Sequence, residues 1–152
     1  EVKGSLLPDL NLEWVDKDTI YREADVISLH LPLTRQTNNM ITTNHLSRMH
    51  PDALLVNTSR GGIVNEGDLF DTLQEGHLGG VAIDVFRDEP YIGPLTTVAR
   101  CLLTCHMGSM SEDCRMQMEV EATEEAARHI QGLPLKCVVP ESEYQIQNGS
   151  RD

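Results

Sequence analysis

The residues of this chain best suited to chemistry lie between Val81 and His106, where VAIDVFRDEP is followed by LTCHMGS. The first block supplies Asp84 and the adjacent acids Asp88 and Glu89, and the second supplies His106. Upstream, Asn57-Thr58-Ser59-Arg60-Gly61-Gly62 adds a cation on a glycine-flanked turn. An imidazole beside a carboxylate can pass a proton, and a guanidinium offers a planar fork to a carboxylate. Together these groups equip the chain for proton-coupled chemistry on a small anionic substrate.

Such groups act only if the fold brings them to one place, and the apolar pattern indicates how. Val26, Ile27 and Leu29 form a near-continuous apolar run, as expected of a strand buried on both faces, and the run stops at Pro32. Ala53 to Asn57, Leu78 to Ile83 and Leu102 to Thr104 read as further strands, and Asn11 to Val15 as a short one. Between them, Asp16 to Arg22 reads as a brief helical link. Thr42 to Met49 reads as a helix with Leu46 and Met49 inward, stopped by Pro51. Glu66 to Gln74 places Leu69, Phe70 and Leu73 on one helical face, ended by Gly76.

The longest element follows His106. Ser109 and Glu112 have capping-box spacing, and Met116, Val120, Thr123, Ala127 and Ile130 recur as an apolar stripe, closed by Gly132 and Pro134. That stripe reads first as a core-facing helix and second as a dimer surface. Lys136 to Pro140 reads as one short extended piece, with a polar, disordered tail from Glu141 to Asp152. Strands alternating with helices imply an α/β fold, a parallel sheet with helices on both sides. Ligands of such sheets bind beyond the carboxyl ends of the strands, where His30, Arg60, Asp84 and His106 all fall.

Composition narrows the partners. The 152 residues suit one domain, and 12 Lys and Arg against 24 Asp and Glu give a net charge of -12. Such a field repels phosphate backbones and anionic lipid, which argues against nucleic acid or a membrane surface as partner. Cys101, Cys105, Cys114 and Cys137 contain no CxxC pair, and no secretory segment is visible, so a reduced, cytoplasmic protein is expected. A zinc site from Cys101, Cys105 and His106 is weighed against packing, and packing is preferred, so no metal is expected. His45, His50, His77 and His129 fall in helices or turns, where solvated placement is the default. No GxSxG turn supports a serine hydrolase.

Four blocks, ADVISLHLPLT, LLVNTSRGGIVNEGDL, GVAIDVFRDEP and LLTCHMGS, resemble the D-isomer-specific 2-hydroxyacid dehydrogenases in order and spacing. That group includes phosphoglycerate dehydrogenase. The resemblance runs from about Asp25 to Pro140 and implies a Rossmann-like parallel sheet with flanking helices. By that resemblance Arg60 holds the substrate carboxylate and polarises its carbonyl, and His106 is the general acid in reduction of a 2-keto acid. Glu89, directly before Pro90, is its carboxylate partner, favouring the charged imidazole and fixing its tautomer. Asp84 matches a contact to the nicotinamide end of NAD, although a strand-end turn former is an equal candidate reading. Leu31, Thr58, Ser59, Arg60, His106, Gly108 and Ser109 line the same cofactor, with His30 as a wall beside it.

The departures are equally informative. None of the eleven glycines has the GxGxxG spacing that cradles a pyrophosphate, so the ribose-reading acid expected about 20 residues further on is unplaced and NADP stays open beside NAD. The Rossmann-like sheet is thus expected to be incomplete, lacking its first βαβ unit. Residues 1-132 read as part of an NAD-binding domain, and 133-152 as a segment returning toward a substrate domain outside this chain. Cys105 stands where many relatives carry proline. The expectation is the carboxyl-terminal part of an NAD(P)-dependent oxidoreductase acting on a 2-hydroxy or 2-keto acid, a homodimer nearly inactive as this piece alone. A second expectation is a corepressor resembling the C-terminal binding proteins, in which nucleotide governs partner binding.

Overall fold

The computed structural model describes residues 12-139. Its elements are α1 (Lys17–Glu23), β1 (Val26–Leu29), α2 (Thr43–Leu46), β2 (Leu54–Asn57), α3 (Glu66–Gln74), β3 (Gly80–Ile83), β4 (Cys101–Leu103) and α4 (Glu112–Ile130). The four strands are all parallel and lie in the order β1-β2-β3-β4. Residues 12-15 form no strand, contrary to the reading of Asn11 to Val15, of which Asn11 lies outside the described residues: Leu12 and Trp14 are exposed and pair with no strand among the described residues. Residues 136-139, read as part of a short extended piece, bend at 136-137 and then run without regular structure. Pro140, the tail from Glu141 and the stretch before Leu12 lie outside the described residues.

Side-chain alternation decides which face of the sheet is covered. Ile27, Leu29, Leu55, Val81 and Ile83 point to one side and are buried with Leu46, Met49, Leu69 and Leu73 from the helical connections. Burying each such side chain contributes about 1.5–3 kcal/mol, so this layer dominates the stability. Consecutive parallel strands with right-handed crossovers bring every connection to the same side. The opposite side stays open among the described residues, with Val26 56%, Leu54 45% and Leu102 65% exposed. The expectation of β1 buried on both faces, with helices on both sides, is corrected accordingly. The apolar run fixed the strand but could not report its cover.

Local signals place the connections. Asp16 caps α1 by accepting the Thr19 N–H, and Asn65 caps α3 by accepting that of Asp68. Gly76, at φ +83°, ends α3 in the left-handed conformation that glycine adopts without a Cβ clash. His77 and His45 are not simply solvated. His77 Nε2 lies 3.0 Å from the Met49 carbonyl, and His45 packs edgewise on buried Tyr21 while its Nδ1 bonds Thr42.

α4 departs furthest from expectation. No residue of it is buried, and Met116, Val120 and Ile130 are 60%, 51% and 84% exposed. Its cap is Ser111, whose hydroxyl accepts the Cys114 N–H, rather than Ser109. The helix starts late because Met107–Ser109 first makes a 3-10 turn after His106. No helix among the described residues is long and apolar enough to cross a membrane.

Candidate functional site

Register brings the strand ends level. Leu29 is paired with Asn57 and Asn57 with Ile83, while the Asp84 N–H donates to the Asn57 carbonyl and the Thr104 N–H to that of Ile83. His30, Thr58, Asp84 and Thr104 therefore leave the sheet at one edge, and the segments bearing Arg60 and His106 continue from it.

Asn57 shapes the arginine turn. It is 2% exposed, its side-chain oxygen accepts from both Ser59 N–H and Ser59 hydroxyl, and its amide donates to the Arg60 carbonyl at 3.0 Å. Gly61 then lies against the chain after β3: a Cβ there would fall 1.9 Å from the Phe86 carbonyl oxygen. Only glycine allows that approach, and it seats the Arg60 turn on the segment that leads to Glu89. Gly62, at φ +78°, passes its carbonyl to Asn39 N–H, and Arg87 bonds the side chains of Asn38 and Asn39. The Arg60 guanidinium is exposed and forms no ion pair among the described residues, its one bond being to the Ser59 carbonyl at 2.6 Å.

Glu89 and His106 meet. Glu89 Oε2 lies 3.0 Å from His106 Nδ1, and its Oε1 accepts the Phe86 N–H at 3.0 Å. Asp88, its neighbour, is exposed and is not the partner of His106. The Phe86 N–H, and after it His106, hold the Glu89 carboxyl below the usual carboxylate range. Asp84 is 8% exposed. Burial pushes its carboxyl up, yet the Met107 N–H, the Thr104 hydroxyl and His106 together outweigh burial and hold it down. His106 itself has left-handed backbone, φ 54° and ψ 53°.

The remaining expected residues take less defined places. Gly108 and Ser109 belong to the 3-10 turn beside His106, with open space around the Gly108 Cα. Thr58 is exposed and Ser59 half-buried on the arginine turn. Leu31 is 40% exposed beyond β1, two strands from Asp84, and His30 Nε2 pairs with Ser28 Oγ at 2.8 Å. Beside Glu89 a cleft of about 460 Å³ is lined by Phe86, Pro90, Tyr91, Leu103 and Cys105, with Phe86 and Tyr91 stacked at 4.2 Å. Sequence reasoning missed Asn57 and Arg87. A buried-type asparagine ending an apolar strand was the available signal for the first, and nothing local announced the second.

The family model described as "D-isomer specific 2-hydroxyacid dehydrogenase, NAD binding domain" matches residues 4–108. The chain belongs to this family. Among curated members, a glyoxylate reductase from Thermococcus litoralis is 40% identical over 111 residues, covering 72% of this chain and 34% of the relative. A D-3-phosphoglycerate dehydrogenase from Synechocystis is 37% identical over 127 residues, covering 82% of this chain and 23% of the relative. The chain thus spans well under half the length of these family members. Among solved structures, the TT0316 protein of Thermus thermophilus superposes with a TM-score of 0.81 at 32% identity, over 87% of this chain and 43% of that one. The NAD-dependent formate dehydrogenase of Staphylococcus aureus, in complex with NAD, superposes with a TM-score of 0.75 at 32% identity, over 83% and 40%. The α/β, Rossmann-like reading of the sheet therefore stands.

Glu89 gives this geometry a direct check. A carboxyl depressed in the folded state adds stability above its unfolded value and loses it as pH falls through the folded value. Glu89 is too open to solvent for that to move global stability much, so its own titration is the readout. Followed by carbon NMR, the Glu89 midpoint moves upward in His106→Ala, but stays below the ordinary glutamate value because the Phe86 N–H bond remains. A midpoint indifferent to the substitution contradicts the pairing.

Proposed function

We propose that this chain is the catalytic portion of an NAD-dependent oxidoreductase that interconverts a 2-keto acid and a D-2-hydroxy acid, with Arg60, Glu89 and His106 as its reacting groups. The observation that carries the reading is the Glu89–His106 pair set on the same sheet edge as Arg60, whose guanidinium has no ion-pair partner among the described residues. Relatives named glyoxylate reductase, hydroxypyruvate reductase and D-3-phosphoglycerate dehydrogenase support the substrate class. Residues 1-132 then form part of an NAD-binding domain, with 133-152 running toward a substrate domain supplied by further sequence. No feature of the site favours the corepressor-like alternative over these relatives.

The donor set fits the nicotinamide end of NAD. Asp84 Oδ2 takes only the Met107 N–H, so it retains capacity to accept a carboxamide N–H, and Gly108 leaves open space beside His106. Thr58, Ser59, Ser109 and the backbone at Leu31 complete the proposed cofactor edge. NAD, when bound, supplies the hydride that reaches the carbonyl carbon.

The chain's own residues do the rest. Arg60 grips the substrate carboxylate through its two-pronged fork and draws electron density from the carbonyl. Glu89 takes the Nδ1–H of His106, which turns the Nε2–H toward substrate. As the carbonyl carbon becomes tetrahedral, Nε2 delivers its proton to the oxygen; in the oxidative direction it takes that proton back.

A reduced, cytoplasmic setting and a homodimer belong to the same proposal. All four cysteines are free, and the exposed α4 stripe of Met116, Val120 and Ile130 lacks a partner among the described residues. Sedimentation of the 152-residue chain is expected to give a dimer, and Val120→Glu a monomer. A wild-type monomer at all concentrations rules the dimer out.

The chemistry is tested on the protein carrying this chain together with its substrate domain, by following NADH oxidation with glyoxylate or hydroxypyruvate. His106→Ala is expected to lower kcat by about 10²–10⁴-fold, the usual size of a general acid–base contribution. Arg60→Ala is expected to lower kcat/KM by about 10–100-fold, since a charged hydrogen bond is worth about 1.5–3 kcal/mol. Wild-type turnover in both variants would sink the assignment.

A further inference from the structure

We propose that Asp84 is a positioning residue for His106, and that Thr104 completes the latch. The importance of the latch rests on reading His106 as the proton carrier; its existence rests on geometry alone. Asp84 holds the chain on both sides of the His106 side chain. Its carbonyl accepts the His106 N–H at 2.7 Å, and its carboxylate accepts the next amide, Met107 N–H, at 2.9 and 3.1 Å. Thr104, two residues before His106, donates its hydroxyl to Asp84 Oδ1.

Between these anchors His106 adopts φ 54°, a conformation few residues with a Cβ take up and one that costs free energy unless the surroundings impose it. Here the imposing group is a single, nearly buried aspartate at the end of the neighbouring strand. The left-handed turn in turn sets where the imidazole points, with Nδ1 3.0 Å from Glu89. Relaxation to ordinary negative φ swings the side chain off that carboxylate. Asp84 therefore converts backbone geometry into the aim of His106, a task separate from any contact with cofactor. Asparagine weakens this arrangement: an amide oxygen in the Oδ1 position still meets both donors, but the charge is gone and the amide nitrogen, itself a donor, then faces the Met107 N–H.

The test uses isotope-labelled chain as wild type, Asp84→Asn, Thr104→Val and Thr104→Ser, with two NMR readouts. The first is solvent exchange of the Met107 amide; the second is the shift that Glu89→Gln causes in the His106 ring nitrogens. Asp84→Asn takes the charge out of the Met107 N–H bond and Thr104→Val frees the carboxylate from its hydroxyl anchor, and in both Met107 exchange is expected to rise about tenfold, the factor by which a charge-assisted hydrogen bond exceeds a neutral one. In both, Glu89→Gln no longer moves the His106 signals, while Thr104→Ser behaves as wild type and the amides of β1 and β2 keep their protection. A Met107 exchange rate or a Glu89 response left at the wild-type level in the two disabled variants overturns the proposal, as does loss of protection throughout the sheet. Should Asp84→Asn fail to fold, the Thr104 pair decides by the same readouts. Neither readout uses cofactor or turnover, so a protein without dehydrogenase activity leaves the latch testable, and a failed latch leaves the activity testable.

Discussion

Everything at the site depends on the register that sets Leu29, Asn57 and Ile83 side by side. Parallel pairing brings the strands' carboxyl ends to one edge, and each strand can then hand over one polar residue without burying it unpaired. The hydrogen bonds from Asp84 N–H to Asn57 and from Thr104 N–H to Ile83 carry that alignment one residue beyond the strands. A one-residue slip in any strand would turn its apolar side chains to the open face. The same slip would carry Arg60, Asp84 or His106 away from the others. Core packing and chemistry are thus specified by one constraint.

The chain's charge makes the local arrangement more important. A net charge of -12 works against the anionic substrate proposed for the site, and Asp84, Asp88 and Glu89 stand close in sequence beside it. At physiological salt, charges beyond about 8 Å are largely screened, so what counts is the nearest cation and the state of the nearest acids. Arg60 is that cation and keeps its guanidinium free of acids among the described residues. Asp84 and Glu89 are meanwhile occupied by N–H, hydroxyl and imidazole donors, which spreads their charge inward to the protein.

Much of this was legible in the sequence, because strands, helix stops and strand-end polar residues are local signals. The α3 boundaries, the Glu89 and His106 pairing and the Arg60 turn follow from apolar period, a glycine stop and the resemblance of the four blocks to one family. What escaped depends on partners distant in sequence. The α4 stripe has helical period but nothing among the described residues covers it, and periodicity reports a face rather than what lies against it. Ser109 has capping-box spacing, yet the left-handed turn at His106 shifts the helix start to Ser111. Asn57 looks like an ordinary strand terminator until Ser59 and Arg60 are seen folded back upon it.

In the proposed function, the carboxyl edge of this sheet holds a nicotinamide beside Arg60 and His106. Chemical-shift mapping of the labelled chain with NAD reads this out residue by residue, and it detects weak binding. The expected shifts are concentrated at Thr58 to Arg60, Asp84 and His106 to Ser109, and are diminished by Asp84→Asn. Shifts gathered on the open face around Leu54 and Leu102, or no shifts at saturating NAD, would contradict that placement.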